Sequence, residues 1–209
     1  MHGVVVGIAG GSGSGKTTLA KAVTQLTPHP TCSLAFDSYY REQNHLSRTE
    51  REAINYDHPN SLDVERFVAD LATLKSGFPL AAPVYDFAQH TRSADIELIE
   101  PMPVIVVDGI LLFVFPEICE LVDVSVFVDV PDAVRTSRRL ERDVAERGRT
   151  HEFAMSQIER TVRPMYGEFV QPSIDQADLI IDGTADWMLG AQLVVEALAA
   201  QPVLAIANS

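Results

Sequence analysis

Positive charge is scarce in this 209-residue chain: 16 Lys and Arg stand against 29 Asp and Glu, a formal net charge of -13 with a pI of about 4.7. A surface of that sign argues against general nucleic-acid binding through a basic face, while leaving room for a small local positive site. Cysteine is nearly absent. Cys32 and Cys119 lie far apart with no metal-type spacing, which reads as two reduced thiols. Long hydrophobic runs are missing as well, and no cationic segment precedes a long apolar stretch near residue 1. The expectation is a soluble cytoplasmic protein with no membrane and no nucleic-acid partner. Internal repeats, low-complexity tracts and clean linkers are also lacking, so residues 1–209 read as a single domain.

What is present is an alternation. Short apolar runs at Val4–Ala9, Ser33–Phe36, Val104–Val107, Val124–Val130 and Leu179–Ile181 have the look of buried strands. Between them, 3.6-residue spacing predicts helices over Thr17–Leu26, Leu62–Lys75, Asp132–Arg147 (stopped by Gly148), Glu152–Arg163 (interrupted by Pro164) and Trp187–Ala199. Arg48–Ile54 has weaker helical character. Strands that alternate with helices favour right-handed crossovers and a parallel sheet, an α/β fold flanked by helices. Pro79–Ile99 breaks the pattern. Val84, Tyr85 and Phe87, then Ile96, Leu98 and Ile99, frame a polar turn and predict a small β-hairpin insert over 78–100. The tail Gln201–Ser209 is expected to be loosely held.

The densest signal is Gly10, Gly11, Ser12, Gly13, Ser14, Gly15, Lys16 and Thr17, which match G-x-x-x-x-G-K-[ST] between a predicted strand and a predicted helix. Such a loop points backbone N–H groups at phosphate oxygens, and glycine removes the β-carbons that would block the approach. The helix N-terminus behind it adds partial positive charge. Lys16 would bridge the outer phosphates and the Thr17 hydroxyl would ligate Mg2+. The motif implies a nucleoside triphosphate and is shared by kinases, ATPases and GTPases. The guanine-reading N-K-x-D is absent, which disfavours a GTPase switch. Asp108, closing "VIVVD", is a candidate Walker B carboxylate or a simple strand-end acid.

Other residues carry two readings each. Asp37 in "FDSYY" is placed either to accept a proton from an attacking hydroxyl or to start a turn. Asp57 in "YDHP" suits either a vicinal diol or a turn before proline. Tyr85, His90 and Arg92 lie on the hairpin, where an isolated histidine is more often an exposed surface residue. Arg135, Arg138, Arg139 and Arg142 recur on roughly one helix face, followed by Arg147 and Arg149 around Gly148. Guanidinium forks suit phosphate, and a hinge at Gly148 suits a lid over 135–165. Glu141, Asp143 and Glu146 would alternatively make the segment a solvated, salt-bridged helix.

Taken together, "GIAGGSGSGKTT", "DSYY", "NYDHP", "PVYDFAQHTR", "DGILL", "FVDV", "RRLERDVAERGR" and "TVRPM" resemble the uridine kinase (uridine–cytidine kinase) family of P-loop kinases, in family order from residue 7 to about 166. The resemblance implies a P-loop NTPase-type sheet, an Arg-rich helical lid, and ATP- and Mg2+-dependent phosphorylation of the ribose 5'-hydroxyl of uridine or cytidine, a salvage reaction. It implies Asp37 as the base, with Lys16 and Arg142 beside it in catalysis. Tyr40, Asp57, Arg139 and Gln157 would lie near the sugar, Tyr85 and His90 at the pyrimidine. The loop residues through Thr18, with Arg142, Arg147 and Arg149, would serve the nucleotide. Thr17 and Asp108 would serve the metal, and the assembly would be a homo-oligomer, a tetramer by analogy. Two departures stand out: Asp108 occupies a position where the family usually has Glu, and "ADLIIDGTAD" replaces a usual Pro-Arg-Gly turn, putting Asp182 near the expected adenine edge. Two other readings stay open, a P-loop kinase acting on another small alcohol and a nucleotide-binding regulator without kinase activity.

Overall fold

The computed structural model describes residues 2–206, with side chains through Leu204. The apolar runs form five strands: β1 (Val4–Gly10), β2 (Thr31–Ala35), β5 (Val104–Asp108), β6 (Val124–Asp129) and β7 (Leu179–Asp182). They make one parallel sheet in the order β2-β5-β1-β6-β7. Every residue of β1 is buried because the strand is covered on both faces. Val4, Val6 and Ile8 pack towards Leu19, Val23, Ile181 and Val194, while Val5 joins Phe36, Phe67, Leu71, Ile105 and Phe127 on the other side. Alternate side chains of one strand thus anchor two cores, each full burial of such an aliphatic side chain contributing roughly 1.5–3 kcal/mol.

Helices α1 (Lys16–Leu26) and α8 (Trp187–Ala199) cover one face of the sheet, and α3 (Val64–Lys75) covers the other. Short helices α2 (Arg48–Glu52) and α4 (Pro116–Cys119) lie in connections, and α5 (Asp132–Ala145) and α6 (His151–Gln157) follow β6. The hairpin is a separate antiparallel sheet of β3 (Leu80–Asp86) and β4 (Thr91–Ile99). After β1 the chain crosses to β2 on one side, and after β5 it crosses to β6 on the other. Direction therefore reverses beside β1 and opens a crevice at the carboxyl ends of β1 and β5, where such sheets bind ligands. Among the described residues no helix is long and apolar enough to cross a membrane.

Three expectations are corrected. Pro164 does not interrupt the helix after α6: the path continues through wide π-helical turns at Ile158–Val162, then α7 (Arg163–Met165), then further wide turns at Tyr166–Val170. A proline lacks an N–H and crowds the preceding turn, and the widened turns on either side absorb both defects. The tail is not loose from Gln201. Residues Pro202–Ile206 form a short helix, α9, with Leu204 buried in the α1–α8 core and the Gln201 side chain donating to the Asp123 carbonyl. The part of the tail after residue 206 lies outside the described residues. The helix expected over Asp132–Arg147 ends earlier, at Ala145, with Gly148 beyond it at φ 63°.

Candidate active site

The glycine-rich loop joins β1 to α1 at the mouth of the crevice. Gly15 caps α1 without any side-chain bond, so the first-turn N–H groups face an incoming anion rather than a capping oxygen. Gly13 sits at φ 80°, and a β-carbon there would collide with the carbonyl of Arg135, so only glycine lets the loop lie this close to α5. Lys16 is 8% exposed and its Nζ donates to the Gly11 carbonyl at 2.9 Å. Burial pulls the Lys16 ammonium down to about 8, with Asp37 and Asp108 opposing that fall.

One cavity runs inward from this loop. Its walls bring together Ser12, Lys16, Thr17, Asp37, Tyr40, Asp57, Tyr85, His90, Asp108, Arg139, Arg142, Arg147, Arg149 and Gln157. Sequence separations of more than 100 residues are closed here by the sheet order. Gly10, Gly11, Gly13, Ser14, Gly15 and Thr18 lie in or beside the loop and do not line this cavity. Ser14 is fully buried with its hydroxyl unpartnered, and Thr18 is exposed.

At the loop end, Thr17 Oγ1 donates to Asp108 Oδ2 at 2.8 Å. Two hard oxygen ligands side by side, next to a lysine and an anion cradle, fit Mg2+ bound jointly with phosphate oxygens and water. Among the described residues no group of three or more His, Cys, Asp or Glu could hold a metal ion. Asp37, on the helical turn Phe36–Tyr39 after β2, has its carboxyl raised above the ordinary value by burial and the nearby Asp108, with Lys16 pulling the other way.

At the far end, Asp57 accepts from Thr161 Oγ1 at 3.3 Å and pairs with Arg139 at 3.5 Å. Tyr40, Tyr56 and Tyr85 pack edge-on or tilted against one another. His90 is not a free surface residue. It stacks on Tyr56 with ring centroids 5.2 Å apart, and its Nε2 lies 3.4 Å from Arg149 Nη2. Burial, then the Arg149 charge, hold its imidazole below the ordinary value, so the ring is neutral at physiological pH and offers one donor and one acceptor. His90 adopts φ 53°, a left-handed conformation that turns the ring inward from the hairpin tip. Arg92 is placed elsewhere, bridging Asp63 and the Tyr39 carbonyl.

The arginine helix divides. Arg135 donates to the Val130 carbonyl and lies 3.5 Å over the Tyr166 ring, and Arg138 donates to the Gly183 carbonyl at 2.9 Å. These two brace the outside of the loop. Arg139 and Arg142 turn into the cavity, where Arg142 donates to Ser12 Oγ at 3.1 Å. The Nε groups of Arg139 and Arg142 are buried without a hydrogen-bond partner and lie 3.5 and 3.7 Å from the Asp143 carboxylate. A solvated, salt-bridged face does not describe this segment, because Asp143, which accepts from Arg147 and Arg149, is 0% exposed. Asp182 does not line the cavity and caps its own turn by accepting from Thr184.

Several residues escaped the sequence reading. Tyr56, Phe87, Ile54 and Ile110 form apolar walls. Thr161 lies four residues after Gln157 and so on the same helical face, a spacing that could have flagged it. Trp187 packs against Gly15, a contact that nothing local announces.

A five-stranded parallel sheet with a phosphate loop, a Thr–Asp pair, the half-buried carboxylate of Asp37 and an arginine cluster around one cavity defines a P-loop phosphotransferase for a small hydroxylic substrate. Solved structures with this fold include D-glycerate 3-kinase from Cryptococcus neoformans, with a TM-score of 0.66 at 17% identity over 88% of each chain. Another is phosphoribulokinase from Rhodobacter spheroides, with a TM-score of 0.63 at 12% identity over 90% of this chain and 74% of that one. The chain belongs to the phosphoribulokinase / uridine kinase family, whose model matches residues 5–188. Among its relatives is a uridine kinase from Ligilactobacillus salivarius, 40% identical over 92% of this chain and 91% of that protein. A uridine kinase from Shewanella amazonensis is 45% identical over 85% and 86%.

Proposed function

We propose that this protein transfers the γ-phosphoryl group of ATP to the ribose 5'-hydroxyl of uridine or cytidine, giving UMP or CMP. The observation that carries the reading is a single cavity with a phosphate-and-metal end (Lys16, Thr17, Asp108) and a sugar-and-base end (Asp57, Arg139, His90, Tyr56), with Asp37 on its wall. The relatives' uridine kinase activity supports it.

Asp37 accepts the 5'-hydroxyl proton as the oxygen attacks the γ-phosphorus. The bond from that phosphorus to the β–γ bridging oxygen breaks, and ADP leaves with the electron pair. Lys16, Arg142, Arg147 and Arg149 stabilise charge on the transferring group, Ser12 and the loop amides hold the β-phosphate, and a Gly148 hinge lets the 135–165 segment close as a lid. Mg2+ held by Thr17 and Asp108 would neutralise phosphate charge. Asp57 and Arg139, with Gln157 nearby, hold the ribose diol, which disfavours 2'-deoxy substrates because their buried partners would be left unpaired. Neutral His90 and Tyr85 face the pyrimidine, with Tyr40 beneath. That aromatic end fits a nucleoside better than a small aliphatic alcohol, and the intact Lys16, Asp37 and Arg142 favour catalysis over regulation alone. Exposed Phe78, Ile96 and Leu98 on and beside the hairpin support a homo-oligomer, read as a tetramer in the cytoplasm.

The test is a panel of common nucleosides with ATP and with GTP in the presence of Mg2+, products weighed by mass spectrometry. UMP or CMP formed from uridine or cytidine is the expected result. Absence of both, under conditions where a control kinase works, overturns the reading.

A further inference from the structure

Four guanidinium groups converge on a single buried carboxylate. Asp143 Oδ1 accepts from Arg147 Nη1 at 3.2 Å, and Oδ2 accepts from Arg149 Nη1 at 3.1 Å. Arg139 Nε and Arg142 Nε lie 3.5 and 3.7 Å from the same carboxylate, within ion-pair distance but without hydrogen bonds. Asp143 is 0% exposed and does not line the cavity, whereas all four arginines do. It therefore reaches a bound substrate only through them.

The local chain explains the convergence. Arg139 precedes Asp143 by four residues and shares its helix face. Beyond α5, Gly148 takes φ 63° and folds the chain back, so that the Arg149 N–H donates to the Asp143 carbonyl at 3.1 Å while its side chain returns to the carboxylate. From this hub two arms reach the far end of the cavity: Arg139 to Asp57 at 3.5 Å, and Arg149 to Gln157 at 2.9 Å and towards His90 at 3.4 Å. Charge does not balance here. One negative charge at Asp143, with Asp57 on one arm, faces four positive ones, and burial and mutual repulsion weaken the proton affinity of Arg142 and Arg149.

We infer that Asp143 is a positioning residue, which gathers Arg139, Arg142, Arg147 and Arg149 into a preformed polyphosphate site and couples that site to the groups at the sugar-and-base end. The inference rests on the phosphoryl-transfer reading above, but its parts separate from it. A carboxylate in this role holds direction rather than supplying attraction. Removing its charge leaves the cluster more positive, so an anion still binds, but the forks splay apart and the transferring group loses aligned donors.

The experiment compares wild type with D143N, isosteric and neutral, and with D143E, which keeps the charge. Turnover with ATP and uridine or cytidine is measured, and inorganic tripolyphosphate binding is measured by calorimetry. For D143N the expected result is a fall in kcat on the order of 100-fold, with tripolyphosphate affinity within about threefold of wild type or tighter. D143E recovers part of the lost kcat. A D143N kcat within about threefold of wild type overturns the inference. So does a parallel loss of turnover and tripolyphosphate binding, the signature of a purely structural role. The Arg Nε–H signals of unliganded wild-type protein in NMR give an answer that needs no variant to fold: four dispersed, slowly exchanging signals support preorganisation, and averaged, rapidly exchanging ones refute it. Wild type that forms no UMP or CMP removes the acceptor assignment, while the NMR signals and tripolyphosphate affinities still decide the role of Asp143.

Discussion

Raising the pH tests the phosphate end of the site through Lys16. Its ammonium is 8% exposed, donates to the Gly11 carbonyl at 2.9 Å, and is held at about 8 against an ordinary 10.5. Burial is the main cause, so in the unliganded fold the charged form is disfavoured. The unfolded chain keeps the proton to higher pH, and this residue's contribution to stability therefore rises as pH climbs from about 8 to 10.5, by roughly 3 kcal/mol in total. A bound triphosphate reverses the balance, because several negative charges beside Nζ favour the protonated lysine. Binding above pH 8 must then draw a proton from solution. The fraction of free protein already protonated falls from about nine-tenths at pH 7 to about one-tenth at pH 9. Affinity for ATP should drop about tenfold over that interval, with close to one proton taken up per ATP at pH 9. Calorimetric titrations in two buffers of different ionisation enthalpy read both quantities. Lys16→Met should bind weakly and without this pH dependence. Flat affinity between pH 7 and 9, or the same slope in Lys16→Met, would refute the burial of an easily deprotonated lysine in this loop.

Three more outcomes follow from the same geometry. Asp37→Asn should lower kcat on the order of 10^2–10^4-fold with ATP binding retained, and because burial raises its carboxyl, the acid limb of the wild-type rate profile should lie above the ordinary carboxylate range and vanish in the variant. His90→Ala should raise the KM for uridine and cytidine by about tenfold or more while calorimetric ATP affinity stays within error, since His90 faces Tyr56 and Arg149 rather than the loop; equal loss of both would remove it from base reading. Gly13→Ala forces a β-carbon against the Arg135 carbonyl at φ 80°, so a destabilisation of at least about 1–2 kcal/mol is expected in thermal melts, together with loss of ATP binding. An unchanged melt would show that the loop can move away from α5.

The order of strands and helices was legible in the chain because each buried strand carries a short apolar run and each helix a 3.6-residue stripe. Trp187–Ala199 matched the helix α8 to the residue, and the loop of Gly10–Thr17 announced an anion site through local chemistry alone. Such features depend on neighbours in sequence, so sequence displays them. Asp37, Asp57 and His90 were different: each was as readily a turn or surface residue until the sheet order and the left-handed backbone of His90 turned them to one cavity. Pro164 misled because a local rule was overridden by wide helical turns whose hydrogen bonds skip a residue. Asp143 looked like one charge among many on an exposed helix. Its burial, and the division of the arginines into two that brace the loop and two that enter the cavity, depend on what α5 meets: the Val130 and Gly183 carbonyls beyond β6 and β7, Ser12 of the glycine-rich loop, and Arg147 and Arg149 folding back after Gly148. Side-chain type and spacing set which chemistry was available to this protein, while long-range packing, which carries no local signature, decided which of those groups meet and which are withdrawn from water.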